Sequence, residues 1–127
     1  ASPVSISQQD IREFQLAKAA ISAGLQILLN KLGKKHEDID SIYIAGGFGN
    51  FINLDHVIKL GMLEFPAGKI KKLGNSALIG AKMMLFMDDK EINEIISLSE
   101  HVSLESDMDF QNVYVDKMFF FDNTSTL

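Results

Sequence analysis

A short apolar run leads directly into a glycine-rich turn at Ile42-Tyr43-Ile44-Ala45-Gly46-Gly47-Phe48-Gly49. Such a run, with two β-branched residues, is typical of a buried strand in an α/β sheet. Because glycine has no Cβ atom, backbone amides in this turn can approach a phosphate or a sugar closely. The sequence therefore predicts a central strand over residues 39–45 and a turn that either binds a ligand or only reverses the chain.

A long helix is predicted before this strand. Ser7 and Asp10 have the spacing of a capping box, and Gly33 can supply the left-handed residue that ends such a helix. Two sets of side chains recur within it at three- and four-residue spacing. The polar set is Gln15, Lys18, Ser22, Gln26 and Asn30, and the apolar set is Phe14, Ala17, Ile21, Leu25, Leu28 and Leu32. We expect the apolar set to be buried and the polar set to form a narrow stripe.

Helices and strands also alternate after the glycine turn. Asn53 and Asn75 are placed to cap helices over residues 54–60 and 76–87, with a short strand over residues 69–73 between them. The other predicted elements are helices over residues 89–98 and 110–121, a strand over residues 101–104, and a tail that frays from residue 123. This alternation predicts an α/β fold.

The composition indicates one compact globular domain over residues 1–127, because 46% of the residues are hydrophobic and there is no repeat or linker. The net charge of -5 without a basic run argues against a nucleic-acid partner. The chain has no cysteine and only short apolar runs, which indicates a cytoplasmic protein without disulfides or membrane spans. It opens at Ala1 rather than at a methionine, which favours a piece of a longer protein.

The glycine turn fits neither common nucleotide fingerprint. Ile52 stands where the Rossmann motif needs its third glycine, and Ile70 stands where a P-loop needs Ser or Thr. His36, His56 and His101 lie in separate segments, so no metal site is predicted. No serine lies in a Gly-x-Ser-x-Gly elbow, and no residue is predicted to be catalytic.

Three segments, in this order, resemble the C-terminal region of the ferredoxin-linked reductive activators of corrinoid proteins. They are Asp10-Ile11-Arg12-Glu13-Phe14-Gln15-Leu16-Ala17-Lys18-Ala19-Ala20-Ile21, Ile44-Ala45-Gly46-Gly47-Phe48-Gly49-Asn50-Phe51-Ile52 and Leu73-Gly74-Asn75-Ser76-Ala77-Leu78-Ile79-Gly80-Ala81. The resemblance extends over nearly the whole chain. It implies one lobe of an actin-like ATPase fold, which is ribonuclease-H-like and shared with sugar kinases and heat-shock chaperones, with strands flanked by helices.

The resemblance also implies a nucleotide site. The implied adenosine-binding residues are Gly46, Gly47, Phe48 and Gly49, and Gln15 and Lys18 of the polar stripe are the next candidates. The implied cofactors are ATP with magnesium in the full-length protein and an iron-sulfur cluster in another domain. The implied function is to use ATP in passing one electron to inactive cob(II)alamin on a corrinoid protein partner.

The residues limit what this chain can do alone. No aspartate is followed two positions later by glycine, as the first phosphate loop of actin-like ATPases requires, and no cysteine can ligate a cluster. We therefore expect the isolated chain neither to hydrolyse ATP nor to transfer electrons. Two alternatives are a non-catalytic module that binds a corrinoid protein or forms a homodimer, and a lobe of a small-molecule kinase, for which the sequence offers no acidic base.

Overall fold

The computed structural model describes residues 3–120. Its helices and strands in chain order are α1 (Gln8–Lys31), β1 (Ile42–Ala45), α2 (Gly46–Phe51), α3 (Leu54–Lys59), β2 (Ile70–Gly74), α4 (Ser76–Met84), α5 (Asp89–Ser97) and α6 (Phe110–Asp116). Short 3-10 turns occur at His36–Asp38 and Ala67–Lys69. Helices flank a parallel pair of strands, which confirms the predicted α/β class.

The predicted start and end of α1 are confirmed. The Ser7 hydroxyl accepts a hydrogen bond from the Asp10 amide at 3.2 Å, and the Asp10 carboxylate accepts one from the Ser7 amide at 2.8 Å. Gly33 has a φ of 61°, in the left-handed region that terminates helices. These boundaries depend on a few neighbouring residues, which is why the sequence alone indicates them.

The buried face of α1 differs from the predicted one. The buried residues are Lys18, Ala19, Ser22, Ala23, Gly24, Ile27 and Leu29, whereas Ile21, Leu28 and Leu32 of the predicted apolar set are exposed. The Ser22 hydroxyl donates to the carbonyls of Gly61 and Met62, at 2.8 and 3.0 Å. Because buried polar groups need such partners, the polar stripe is buried where backbone carbonyls face it.

The two strands form a parallel pair. Ile42 lies opposite Ile70, Ala45 lies opposite Gly74, and the register is irregular between Ile44 and Ala45. The chain crosses from β1 to β2 through α2 and α3, as parallel strands require. The core contains Leu29, Leu63, Phe65 and Ile70, with Leu25, Ile39, Ile42, Ile44, Leu54 and Ile58 packed against it.

The prediction of a central strand is wrong for the part of the chain that the structure describes. β1 begins at Ile42 rather than at residue 39, and β2 is its one partner in the two-stranded sheet. Ile42 and Ile44 pack on the core, but Tyr43 on the alternate face is 55% exposed. An apolar run indicates that both faces of a strand are suited to burial. It does not show which other elements, if any, cover each face.

The predicted caps of the two middle helices are confirmed. The side-chain oxygen of Asn53 accepts from the His56 amide at 3.1 Å, and that of Asn75 accepts from the Leu78 amide at 3.0 Å. The predicted strand before α4 is confirmed as β2. α4 ends at Met84 rather than at residue 87, because the chain must turn to the extended conformation of Asp88, which caps α5.

Two predictions for the last third of the chain are wrong. Residues 101–104 form no strand, since Leu104 packs on Gly24 of α1 instead of joining the sheet. α6 ends at Asp116 rather than at residue 121, and the carbonyls of Lys117 and Phe119, just after the helix, accept hydrogen bonds from the Lys18 side chain. Residue 121 and the predicted frayed tail lie outside the described residues. Within residues 3–120, no helix combines the length and apolar character needed to cross a membrane.

Candidate functional site

The glycine turn lies where both strands of the sheet end. β1 is followed by Gly46, which has a φ of 88°, and β2 ends at Gly74, which has a φ of 71°. Both values lie in the region that favours glycine over every other residue. In open α/β sheets, ligands bind beyond the carboxyl ends of the strands. The turn is therefore in the position that this class of fold uses for binding.

The glycines of the turn have different surroundings. A Cβ atom at Gly46 or Gly47 would meet no other atom within 4 Å, so these two residues border open space. A Cβ atom at Gly49, which is buried, would overlap the side chain of Ile44. Gly46 and Gly47 thus leave room for a ligand, whereas Gly49 allows α2 to pack on β1. Phe48 lies within α2, and its side chain is outside the part that the structure describes.

A lysine of β2 holds the far end of α2. The Lys72 ammonium group donates to the carbonyl of Asn50 at 3.1 Å and to that of Ile52 at 2.7 Å. A Cβ atom at Gly74 would lie 3.8 Å from the side-chain amide of Asn50, so β2 also approaches α2 at that point. Sequence reasoning missed Lys72, because a lysine in a predicted strand has no evident target until β2 lies beside α2.

Lys18, the other charged candidate, is engaged elsewhere. It is only 2% exposed, and its ammonium group donates to the carbonyl of Lys117 at 2.7 Å and to that of Phe119. The same group lies 5.8 Å from the centre of the Phe120 ring. Burial lowers the pKa of Lys18, and the nearby charge of Glu64 opposes that effect. These contacts give Lys18 the role of joining α1 to the segment that follows α6.

Lys18 and the glycine turn line different cavities. A cavity of about 430 Å³ is lined by Lys18, Glu64 and Phe120, among others. A separate apolar cavity of about 310 Å³ follows β1 and includes Tyr43 and Ala45, next to the turn. Gln15 lies one turn before Lys18 on α1 and is half-buried. The nucleotide contacts predicted for Gln15 and Lys18 stay predictions, and the geometry favours a structural role for Lys18.

The remaining ionisable groups add no metal centre to this picture. Among residues 3–120, no three side chains of His, Cys, Asp or Glu are grouped closely enough to hold an ion. The Lys71 ammonium group lies 5.5 Å from the centre of the Tyr43 ring, beside the turn but directed at an aromatic face. Among the described residues, the arrangement at the strand ends offers backbone groups and open space to a ligand.

A family model described as the C-terminal domain of RACo, the ASKHA domain, matches residues 1–127. The corrinoid activation enzyme RamQ of Eubacterium limosum is 35% identical over 123 residues, which cover 94% of this chain and 21% of that protein. The [Co(II) methylated amine-specific corrinoid protein] reductase of Methanosarcina barkeri is 25% identical over 117 residues, which cover 88% of this chain and 22% of that protein.

A solved structure of a reductive activator for corrinoid, iron-sulfur protein also matches. Its TM-score is 0.77 at 33% sequence identity, over 91% of this chain and 19% of that one. The chain thus spans about a fifth of the length of each of these relatives.

Proposed function

This chain belongs to the family of the C-terminal ASKHA domain of RACo, and on that basis we propose that it is the nucleotide-binding C-terminal lobe of an ATP-dependent reductive activator. The whole activator would return inactive cob(II)alamin on a corrinoid protein to cob(I)alamin. The names of the relatives support this proposal, since RamQ is a corrinoid activation enzyme and a second relative is a reductase of a Co(II) corrinoid protein.

The observation that carries the nucleotide part of the proposal is the open glycine turn at the carboxyl ends of two parallel strands. Gly46 and Gly47 border free space there, and no side chain of their own blocks the approach of a ligand to their backbone. A nucleotide fits such a surface because a sugar or phosphate can lie against backbone atoms. Gly46, Gly47, Phe48 and Gly49 form the proposed adenosine-binding turn.

The role of this lobe would be to bind and orient the nucleotide rather than to react with it. ATP supplies free energy through its binding and hydrolysis, and a nucleotide can shift a protein between two arrangements only as far as it binds them differently. The chain contains no cysteine and no Asp-x-Gly sequence, so the cluster ligands and the first phosphate loop of an activator would come from other sequence. A corrinoid protein is the proposed partner.

A chimera of RamQ tests the proposal. The C-terminal segment of RamQ that aligns with this chain is replaced by this chain, and reduction of a Co(II) corrinoid protein is followed by its absorption spectrum with and without ATP. We expect ATP-dependent reduction by the chimera and none by RamQ truncated before the segment. A chimera that is folded but inactive, or active to the same extent without ATP, would contradict the proposal.

One feature favours the interaction module as a second candidate. Leu85 and Phe86, in the turn between α4 and α5, are 80% and 90% exposed, and exposed apolar side chains are common where another protein binds. On this interpretation the glycine turn serves only to reverse the chain. Titration of the full-length protein with ATP separates the two candidates, because an interaction module binds no nucleotide.

A further inference from the structure

We propose that Lys72 is a positioning residue for the nucleotide-binding turn. This inference rests on the proposed function, since it concerns how the same turn is held for binding. It goes beyond that function because Lys72 lies on β2, outside the glycine segment, and reaches the turn through α2. Its contacts are the hydrogen bonds to the carbonyls of Asn50 and Ile52.

Lys72 forms hydrogen bonds with the end of a very short helix, α2. α2 has only six residues, Gly46–Phe51, and its first residues are the glycines of the turn. The last carbonyls of any helix lack partners within the helix, and a lysine near that end can satisfy them. Because Lys72 binds the carbonyl of Asn50 within α2 and that of Ile52 just after it, the end of α2 is tied to β2.

The conformation of the turn depends on this contact between Lys72 and the end of α2. Glycine has more backbone freedom than any other residue, and at Gly46 and Gly47 no atom lies within 4 Å of the position that a Cβ atom would take, so packing does not restrain them there. Gly49 packs on Ile44 of β1 and fixes the middle of α2, and Lys72 fixes its end on β2. With both contacts in place, the turn is held between the two strands. It therefore loses less conformational entropy when a ligand binds.

Lys71 provides a matched control for Lys72. The two lysines are neighbours in β2, both are exposed, and both carry the same charge. Lys71 lies instead over the ring of Tyr43, at 5.5 Å from its centre. Replacing either lysine by methionine keeps most of the side-chain volume and changes the net charge equally. The two variants then differ in the contact that is lost, which is the pair of carbonyl hydrogen bonds for Lys72 and the contact with the Tyr43 ring for Lys71.

The test uses the full-length protein and four forms of it, which are the wild type, Lys72→Met, Lys72→Arg and Lys71→Met. Affinity for ATP is measured by calorimetry in the presence of magnesium, hydrogen exchange is measured on the peptide that contains α2, and the unfolding midpoint is measured in urea. We expect Lys72→Met to bind ATP about tenfold more weakly and to exchange faster in α2. Lys72→Arg should keep the affinity for ATP and the hydrogen exchange of α2 at the wild-type level, since arginine can also donate to two carbonyls. Lys71→Met should resemble the wild type in both measurements.

Each other outcome overturns the inference in a recognisable way. If the wild type binds ATP and Lys72→Met binds it equally well, Lys72 does not position the turn, and the proposed function is unaffected. If Lys72→Met and Lys71→Met weaken binding alike, the effect is one of charge or strand stability. If the wild type binds no ATP, the proposed function and this inference fail together.

Discussion

Gly49 packs so closely on Ile44 that a Cβ atom at position 49 would overlap the Cγ2 methyl group of Ile44 and lie 3.5 Å from its backbone carbonyl carbon. Ile44 belongs to β1 and packs on the core, so it cannot move aside without disturbing the sheet. The close approach of α2 to β1 thus requires a residue without a side chain at this position. Gly49 is therefore the glycine that the fold requires, whereas Gly46 and Gly47 border open space.

Substitution of Gly49 should therefore destabilise the fold. We expect Gly49→Ala to lower the free energy of unfolding by about 1–3 kcal/mol, as overpacking of a close contact does. Gly80→Ala is the matched control, because Gly80 lies within α4 and a Cβ atom there would meet nothing within 4 Å. That variant should gain about 0.5–1 kcal/mol from the higher helix propensity of alanine. Urea unfolding measures both, and an equal effect of the two substitutions would show that α2 does not lie against Ile44.

Substitution of Gly47 should weaken binding without lowering stability. A leucine at position 47 extends into open space within α2, so the free energy of unfolding should not fall and should rise by up to about 0.5–1 kcal/mol from the higher helix propensity of leucine. The side chain would occupy the space proposed for the nucleotide, and ATP should bind the full-length protein at least about tenfold more weakly. Gly68→Leu serves as the control, because Gly68 lies in the turn before β2, at the opposite end of the strand. Unaltered affinity in Gly47→Leu would place the nucleotide elsewhere.

Removal of the Lys18 ammonium group should destabilise the contact between α1 and the segment after α6. Lys18→Met leaves the partly buried carbonyls of Lys117 and Phe119 without this donor, which should cost about 1–2 kcal/mol of unfolding free energy. Lys31→Met is the comparison, since Lys31 is 45% exposed in its 2.9 Å ion pair with Asp107 and should contribute less than about 1 kcal/mol. Denaturation in urea compares the two variants. Equal losses would mean that the Lys18 contacts contribute no more than a surface ion pair.

The capping box of α1 should make stability depend on pH in the acidic range. The hydroxyl and the amide of Ser7 hold the pKa of Asp10 below its ordinary value of 3.8. Because the folded state binds this proton more weakly than the unfolded state, the stabilisation is present above pH 3.8 and is lost as the pH falls through the lower, folded-state pKa. Between about pH 5 and pH 2.5, the unfolding midpoint of the wild type should therefore fall more than that of Asp10→Asn. Ser7→Ala, which removes the hydroxyl that donates to the Asp10 carboxylate at 2.7 Å, should reduce the dependence as well. Parallel curves for all three proteins would exclude this contribution.

The features that the sequence predicted correctly depend on neighbouring residues. Ser7 with Asp10, Gly33, Asn53 and Asn75 mark helix ends, because a cap needs only one side chain and the next turn of backbone. The same is true of the turn after β1, where the φ of Gly46 strongly favours glycine. Three segments in this order, residues 10–21, 44–52 and 73–81, were also sufficient to indicate the family that the comparisons then identified.

The features that the sequence did not predict depend on partners distant along the chain. Lys18 was expected on a polar stripe, yet it is buried, because the carbonyls of Lys117 and Phe119, about a hundred residues away, accept hydrogen bonds from its ammonium group. Residues 101–104 alternate like a strand, but Leu104 packs on Gly24 of α1. No pattern within one segment shows which face of a helix another segment will cover.

The sequence by itself thus determined the class of fold, the starts of most helices and the position of the glycine segment after β1, since each follows from local backbone chemistry. Only the tertiary structure decided which glycine is packed and which are open, because Gly49 differs from Gly46 and Gly47 solely in what lies next to it. It also joined Lys72 to the end of α2, a contact between residues twenty or more positions apart that exists only once β2 lies beside that helix.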